Sequence, residues 1–210
     1  RIINEEKFYS TEGESEILKV DGIKKIFRLP RTKDPLNAVD NVSFKLKEGE
    51  IFGIAGESGS GKTTIANLLM GLLNVTSGEI TFLNKEINEF VKKDRKKFRK
   101  NIQMIFQSPF GSLNPRKTIG SILSLPINIH FKNTKDKTKE KVLELLTMVE
   151  LVPPEIFFDR HPHELSGGEQ QRVAIARALS TEPKLIISDE AVASLDTSIR
   201  VDILNLLKRI

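Results

Sequence analysis

Residues 51–63 read IFGIAGESGSGKT, and this stretch decides the fold. Ile51 to Ala55 is a short apolar run, the pattern of a buried parallel strand. The next eight residues, Gly56, Glu57, Ser58, Gly59, Ser60, Gly61, Lys62 and Thr63, fit G-x-x-x-x-G-K-[ST] at every fixed position. A helical pattern starts there, with Thr64 in its first turn, and runs through Leu73. Glycines let the backbone curl until several N–H groups point inward, and the helix turns its positive dipole end to the same spot. A loop of this kind cradles phosphates. Lys62 adds a mobile cation for the β- and γ-phosphates, and the Thr63 hydroxyl can ligate a magnesium ion. The loop alone does not name a class, because phosphotransferases, switches and motors share it.

Outward from the loop, the pattern is one of alternating strands and helices. On the N-terminal side the first fifteen residues are polar and predict a frayed end. Ile17 to Phe27 reads as extended, Pro30 to Leu36 as a loop, and Val42, Phe44 and Leu46 alternate with polar residues as in a half-buried strand. On the C-terminal side, strands are expected at Ile80 to Leu83, Ile102 to Phe106 and Lys184 to Ser188. Ser108 to Arg116 holds two prolines and a glycine and is expected to be irregular. Thr118 to Leu179 is mostly helical and reads as an inserted lobe. The whole is an α/β chain with a parallel sheet flanked by helices.

Two further segments carry chemistry. Leu185 to Glu190 (LIISDE) ends an apolar strand in two carboxylates. Ligands of parallel sheets collect at such strand ends, so Asp189 is a magnesium ligand candidate and Glu190 a base for an attacking water. A kinase passing phosphate to a substrate has less need of that glutamate. Leu165 to Arg172 (LSGGEQQR) is a helix start, with Ser166 as N-cap and Glu169 three residues on completing a capping box. Gly167 and Gly168 bare the backbone N–H groups there, giving a second phosphate-binding surface. The simplest use for a second surface is to close on a nucleotide held by another copy.

Composition excludes several alternatives. The 210 residues contain no cysteine, so disulfides, thiolate nucleophiles and cysteine zinc sites are ruled out. Three histidines, His130, His161 and His163, build no His-rich metal cluster. No stretch approaches the roughly 18–20 apolar residues of a membrane-spanning helix. The net charge is +5, but Lys92 to Lys100 (KKDRKKFRK) has seven basic residues in nine. That run is either a solvated helix face or a surface for phosphates, headgroups or a partner.

Taken together, these motifs resemble the nucleotide-binding subunit of ATP-binding cassette (ABC) transporters, over about Ile17 to Ile210. The resemblance makes Gly56 to Thr63 the Walker A loop, Leu185 to Asp189 Walker B, Glu190 the catalytic glutamate and Leu165 to Arg172 the signature. It makes Gln107 the Q-loop glutamine and a magnesium ligand, Ser194 to Asp196 the D-loop, and Phe27 the aromatic that stacks on adenine. The fold it implies is a P-loop NTPase (RecA-like) parallel-sheet core with an N-terminal antiparallel β subdomain and an inserted α-helical subdomain. One such domain would fill 1–210, with core and β subdomain at about 17–107 and 173–210 and the helical subdomain at about 108–172.

The implied ligands are ATP and Mg2+. The implied partner is a second ATPase subunit, a paralogue bound head to tail, so that Ser166, Gly167, Gly168 and Glu169 of one copy meet the ATP of the other. Transmembrane permease subunits and, indirectly, an extracellular solute-binding protein follow, at the cytoplasmic face of the membrane, with no nucleic acid. FQSPFGSLNPR, RHPHELSGG and LDTSIRVDILNLL resemble the oligopeptide and dipeptide importers, with nickel importers sharing much of the wording. A soluble cassette acting on nucleic acid and an ATP clamp without turnover are the other classes. Two departures bear on activity. Ala191 stands where the family usually has proline, and the switch histidine expected past Glu190 is missing from a chain that ends 20 residues later. With no initiator Met and an end inside an amphipathic pattern, the chain reads as a trimmed piece, expected to bind ATP but hydrolyse it poorly.

Overall fold

The computed structural model describes residues 5–8, 15–28, 35–190 and 197–209. The chain divides into two compact units, residues 1–98 and 99–210.

In the first unit, β1 (Glu5–Phe8), β2 (Glu16–Phe27), β3 (Leu36–Lys47) and β4 (Ile51–Ile54) precede α1 (Lys62–Leu69), followed by β5 (Ser77–Phe82), β6 (Lys85–Glu86) and α2 (Ile87–Lys93). β2 is the centre of an antiparallel sheet ordered β3-β2-β5-β6. Alternation sets its register: Leu18 faces Leu46 and Phe82, and Val20 faces Phe44 and Ile80. Leu18, Val20, Ile23, Ile80 and Phe82 are buried, while intervening Lys19 and Asp21 pair in solvent. This is the antiparallel subdomain that the resemblance implies.

Two expectations change here. The N-terminal stretch is not wholly frayed, since Glu5–Phe8 pairs antiparallel with Ile51–Ile54. For the same reason β4 is not the buried parallel strand its apolar run suggested: its pairing in the described residues is antiparallel, Ile51 is exposed and Phe52 to Ile54 are half-buried. A run of four apolar residues fixes neither the direction of a strand's neighbour nor the cover on its faces.

The second unit begins within α3 (Arg95–Asn101), which crosses the division, and continues through β7 (Ile102–Ile105), α4 (Pro109–Ser112), α5 (Ile119–His130), α6 (Lys135–Met148), α7 (Pro154–Phe158), a 3-10 turn at Pro162–Glu164, α8 (Gly167–Leu179), β8 (Leu185–Ser188) and α9 (Thr197–Arg209). β7 and β8 pair in parallel, Ile102 against Leu185 and Ile105 against Ser188, as their sequence predicts. Ile105, Ile119, Leu123, Ile127, Val142, Leu146, Val173, Ile175 and Leu206 share one core. The segment after Gln107 is less irregular than its prolines suggested. Pro109 opens α4, a first-turn position where its missing N–H costs nothing.

Candidate functional site: the phosphate loop, the acidic strand end and the capped helix

The phosphate loop belongs to the first unit; the acidic strand end, Gln107 and the capped helix belong to the second. Gly56 to Ser60 are exposed, and the loop tightens into α1 at Gly61. Gly61 is the N-cap of α1 at φ 100°, in the left-handed region. A Cβ there would meet the Ala38 carbonyl oxygen at 2.2 Å. Only glycine satisfies both conditions. Lys62 Nζ donates to the carbonyl oxygens of Gly56 (2.8 Å) and Glu57 (3.0 Å), so the ammonium lies over the curl of its own loop. Thr63 is exposed and Thr64 half-buried. α1 is held from below by Ile65, Ala66, Leu68 and Leu69, all buried on one face. Phe27 is half-buried at the end of β2, opposite Leu36, with Lys25 Nζ 5.2 Å from its ring centre. It lies outside the buried core, which leaves ring surface for a ligand.

In the second unit, the ladder of β7 and β8 carries the acidic end into place. The Asp189 N–H donates to the Ile105 carbonyl at 3.1 Å, extending the pairing by one bond. Glu190 then takes φ 49°, and its side chain swings to meet Gln107, whose Nε2 donates to Oε2 of Glu190 at 3.1 Å. Residues 83 positions apart are thus brought together at the carboxyl ends of two parallel strands. Asp189 is half-buried and Glu190 exposed. Ser194 and Asp196, expected as the D-loop, lie outside the described residues, as does Ala191.

The capped helix has the predicted form. Glu169 N–H donates to Ser166 Oγ at 3.3 Å, and Glu169 Oε2 accepts from both the N–H and the hydroxyl of Ser166 at 2.7 Å. Gly167 is half-buried and Gly168 buried. A Cβ on Gly168 would approach Cγ2 of Ile199 on α9 to 2.9 Å, so this glycine is also a packing residue. His161 and His163 stack just before the cap, ring centres 5.5 Å apart, with Glu164 accepting from the His161 N–H; that bond chiefly holds the Glu164 carboxyl below its usual range.

Three supporting features escape sequence reading. Arg177 of α8 is half-buried, burial lowers its pKa, and it donates to the Ser112 carbonyl on α4. Its signal was a lone cation inside VAIARAL. Glu150 accepts from Arg172 at 2.7 Å and from Arg209, joining α8 and α9 through one carboxylate. Nothing local in the sequence announces that pairing. Gln171 is fully buried, and neither of its amide atoms has a hydrogen-bond partner among the described residues. It stands where the helical period already asked for a core residue.

The groups implied for this site fit the donors present. In the second unit Gln107 and Asp189 offer an amide and a carboxylate oxygen, and in the first Thr63 offers a hydroxyl; each by itself is the kind of hard oxygen donor that magnesium takes. Gly59, at φ 80° with open space where a Cβ would stand, suits close approach of a phosphate to backbone.

A family model described as "ABC transporter" matches residues 39–193. The oligopeptide transport ATP-binding protein AppF of Bacillus subtilis is 46% identical over 204 residues, covering 94% of this chain and 61% of AppF. OppF of Escherichia coli, with the same description, is 42% identical over 208 residues, covering 95% of this chain and 62% of its own length. The chain therefore spans less than two thirds of these curated relatives. Among solved structures, the dimeric post-hydrolysis state of the ATP-binding cassette MJ0796, bound to ADP and Pi, superposes with a TM-score of 0.80 at 34% identity, covering 92% of this chain and 82% of that one.

Proposed function

Because the chain belongs to the ABC transporter family, we propose that it is the ATP-binding and ATP-hydrolysing part of an importer for oligopeptides or dipeptides. The names of its relatives support the cargo class. The observation that carries the hydrolytic reading is the meeting of Gln107 and Glu190 at the end of the β7–β8 pair. A carboxylate held there by an amide donor would be oriented to accept a proton.

The residues divide the work as follows. Phe27 would stack on adenine. Gly56, Glu57, Ser58, Gly59, Ser60, Gly61, Lys62, Thr63 and Thr64 would hold the phosphates through backbone N–H groups, hydroxyls and one cation. Thr63, Gln107 and Asp189 would hold Mg2+, which when bound neutralises charge on the β- and γ-phosphates. Glu190 takes a proton from the attacking water as its oxygen bonds to the γ-phosphorus and the bond to the ADP oxygen breaks. Ser166, Gly167, Gly168 and Glu169 would reach the ATP of a second cassette bound head to tail, a paralogue, with Ser194 and Asp196 at the same junction. That the similar cassette MJ0796 is dimeric supports the pairing of two cassettes.

The same reading assigns residues 108–172 to a helical subdomain and about 17–107 and 173–210 to the core and β subdomain. It places the chain peripherally at the cytoplasmic face of a membrane, against permease subunits and indirectly served by an extracellular binding protein, with no nucleic acid. No helix among the described residues is long and apolar enough to cross a bilayer.

The test is a pair of variants. Lys62→Ala should lose ATP binding in a calorimetric titration, and unchanged affinity would show the loop misassigned. Glu190→Gln should bind ATP and accumulate as an ATP-dependent dimer by size exclusion with light scattering. A variant that binds ATP and stays monomeric would refute the two-cassette site.

A further inference from the structure

The segment from Lys85 to Lys97 carries a second surface that the nucleotide reading leaves unused. Below it, three rings lock together. Phe90 meets Phe98 edge-on at 5.5 Å, Phe82 meets Phe98 at 6.1 Å, and Phe82 lies 6.5 Å from Phe90. All three are buried. Above them, Lys92, Lys93, Arg95, Lys96 and Lys97 are exposed across the end of α2 and the start of α3. The carboxylate within the run, Asp94, is engaged in the backbone, accepting from the Lys97 N–H at 2.9 Å. Glu86 is similarly engaged at the other end of α2, accepting from the Glu89 N–H at 2.7 Å. Among the described residues, no carboxylate forms an ion pair with Lys92, Lys93, Arg95 or Lys96.

Cations held this close on a rigid aromatic base repel one another, and a polyanionic surface reverses that cost. The form of the patch selects among polyanions. Single-stranded nucleic acid is gripped by stacking bases on exposed rings, and here Phe90 and Phe98 are turned inward. Duplex grooves take a continuous helix, and here two seven-residue helices break at Asp94. A layer of phosphate headgroups requires neither, only several cations presented together. We propose that Lys92 to Lys97 is a docking face for the anionic phospholipid headgroups of a bilayer surface. This goes beyond the nucleotide reading and stands or falls without it.

The experiment is co-sedimentation of the chain with vesicles, in the absence of nucleotide. The chain should pellet with mixed phosphatidylglycerol–phosphatidylcholine vesicles, remain in solution with pure phosphatidylcholine, and release as salt rises. Each cation near such a surface is worth about fivefold in partitioning. Changing Lys92, Lys93, Arg95 and Lys96 together to Gln should therefore weaken binding by on the order of a few hundredfold, with ATP binding as the check on folding. Changing the exposed Lys135 and Lys137 to Gln should leave most of the binding in place. Equal loss in the two variants would mean net charge alone is responsible and would overturn the proposal. So would equal binding to neutral vesicles, no binding to either kind, or capture of RNA or polyphosphate through these residues while vesicles are ignored.

Discussion

Gly61 shows how closely the loop is specified at the level of one residue. Its φ of 100° is open to glycine, and the space where a Cβ would stand is taken by the Ala38 carbonyl. Backbone strain of this sort costs about 1–3 kcal/mol before any clash is counted. Gly61→Ala should therefore lower the thermal midpoint and remove ATP binding together. A midpoint within error of the parent would show that β3 and the loop can separate freely. The glycine pattern was legible in the sequence because its period is local. The Ala38 contact was not, since it joins residues 23 positions apart through packing.

At the scale of elements, α8 is where stability and site design meet. Its N-terminus is a closed capping box, while Gln171, one turn in, is buried with both amide atoms unpartnered among the described residues. An unsatisfied buried polar group costs about 1–3 kcal/mol, and an apolar group of like shape removes that cost. Gln171→Met should raise the urea midpoint; a fall would show that the amide is satisfied after all. Glu150 makes the opposite prediction about pH. Hydrogen bonds from Arg209 and then Arg172 hold its carboxyl below the usual range. A depressed carboxylate contributes stability that is complete above its unfolded pKa and is lost as pH falls through the folded one. Glu150→Gln should thus be less stable than the parent near neutrality, with the gap closing on acidification. Denaturant midpoints at the two pH values measure this, and the exposed position makes the gap small and salt-sensitive. These elements were legible to different degrees. The box reads from four residues; the Arg172–Glu150–Arg209 cluster needs α6, α8 and α9 assembled before it exists.

For the whole molecule, strand alternation and apolar runs announced an α/β chain and its parallel pair, because they are local signals, while the antiparallel β subdomain was legible only through the family resemblance. Sequence reading misjudged β4 and the N-terminal residues, because which strand lies beside which is decided by partners far along the chain. The site was legible as motifs, and only the fold revealed that Gln107 and Glu190 touch. The contact of Gly168 with Ile199 has a consequence at this scale. Bulk at these two positions should be conserved as a sum. Gly168→Ala alone should be poorly tolerated, and pairing it with Ile199→Ala should recover folding, so a library randomised at both sites and selected for stable protein would return small residues in compensating combinations.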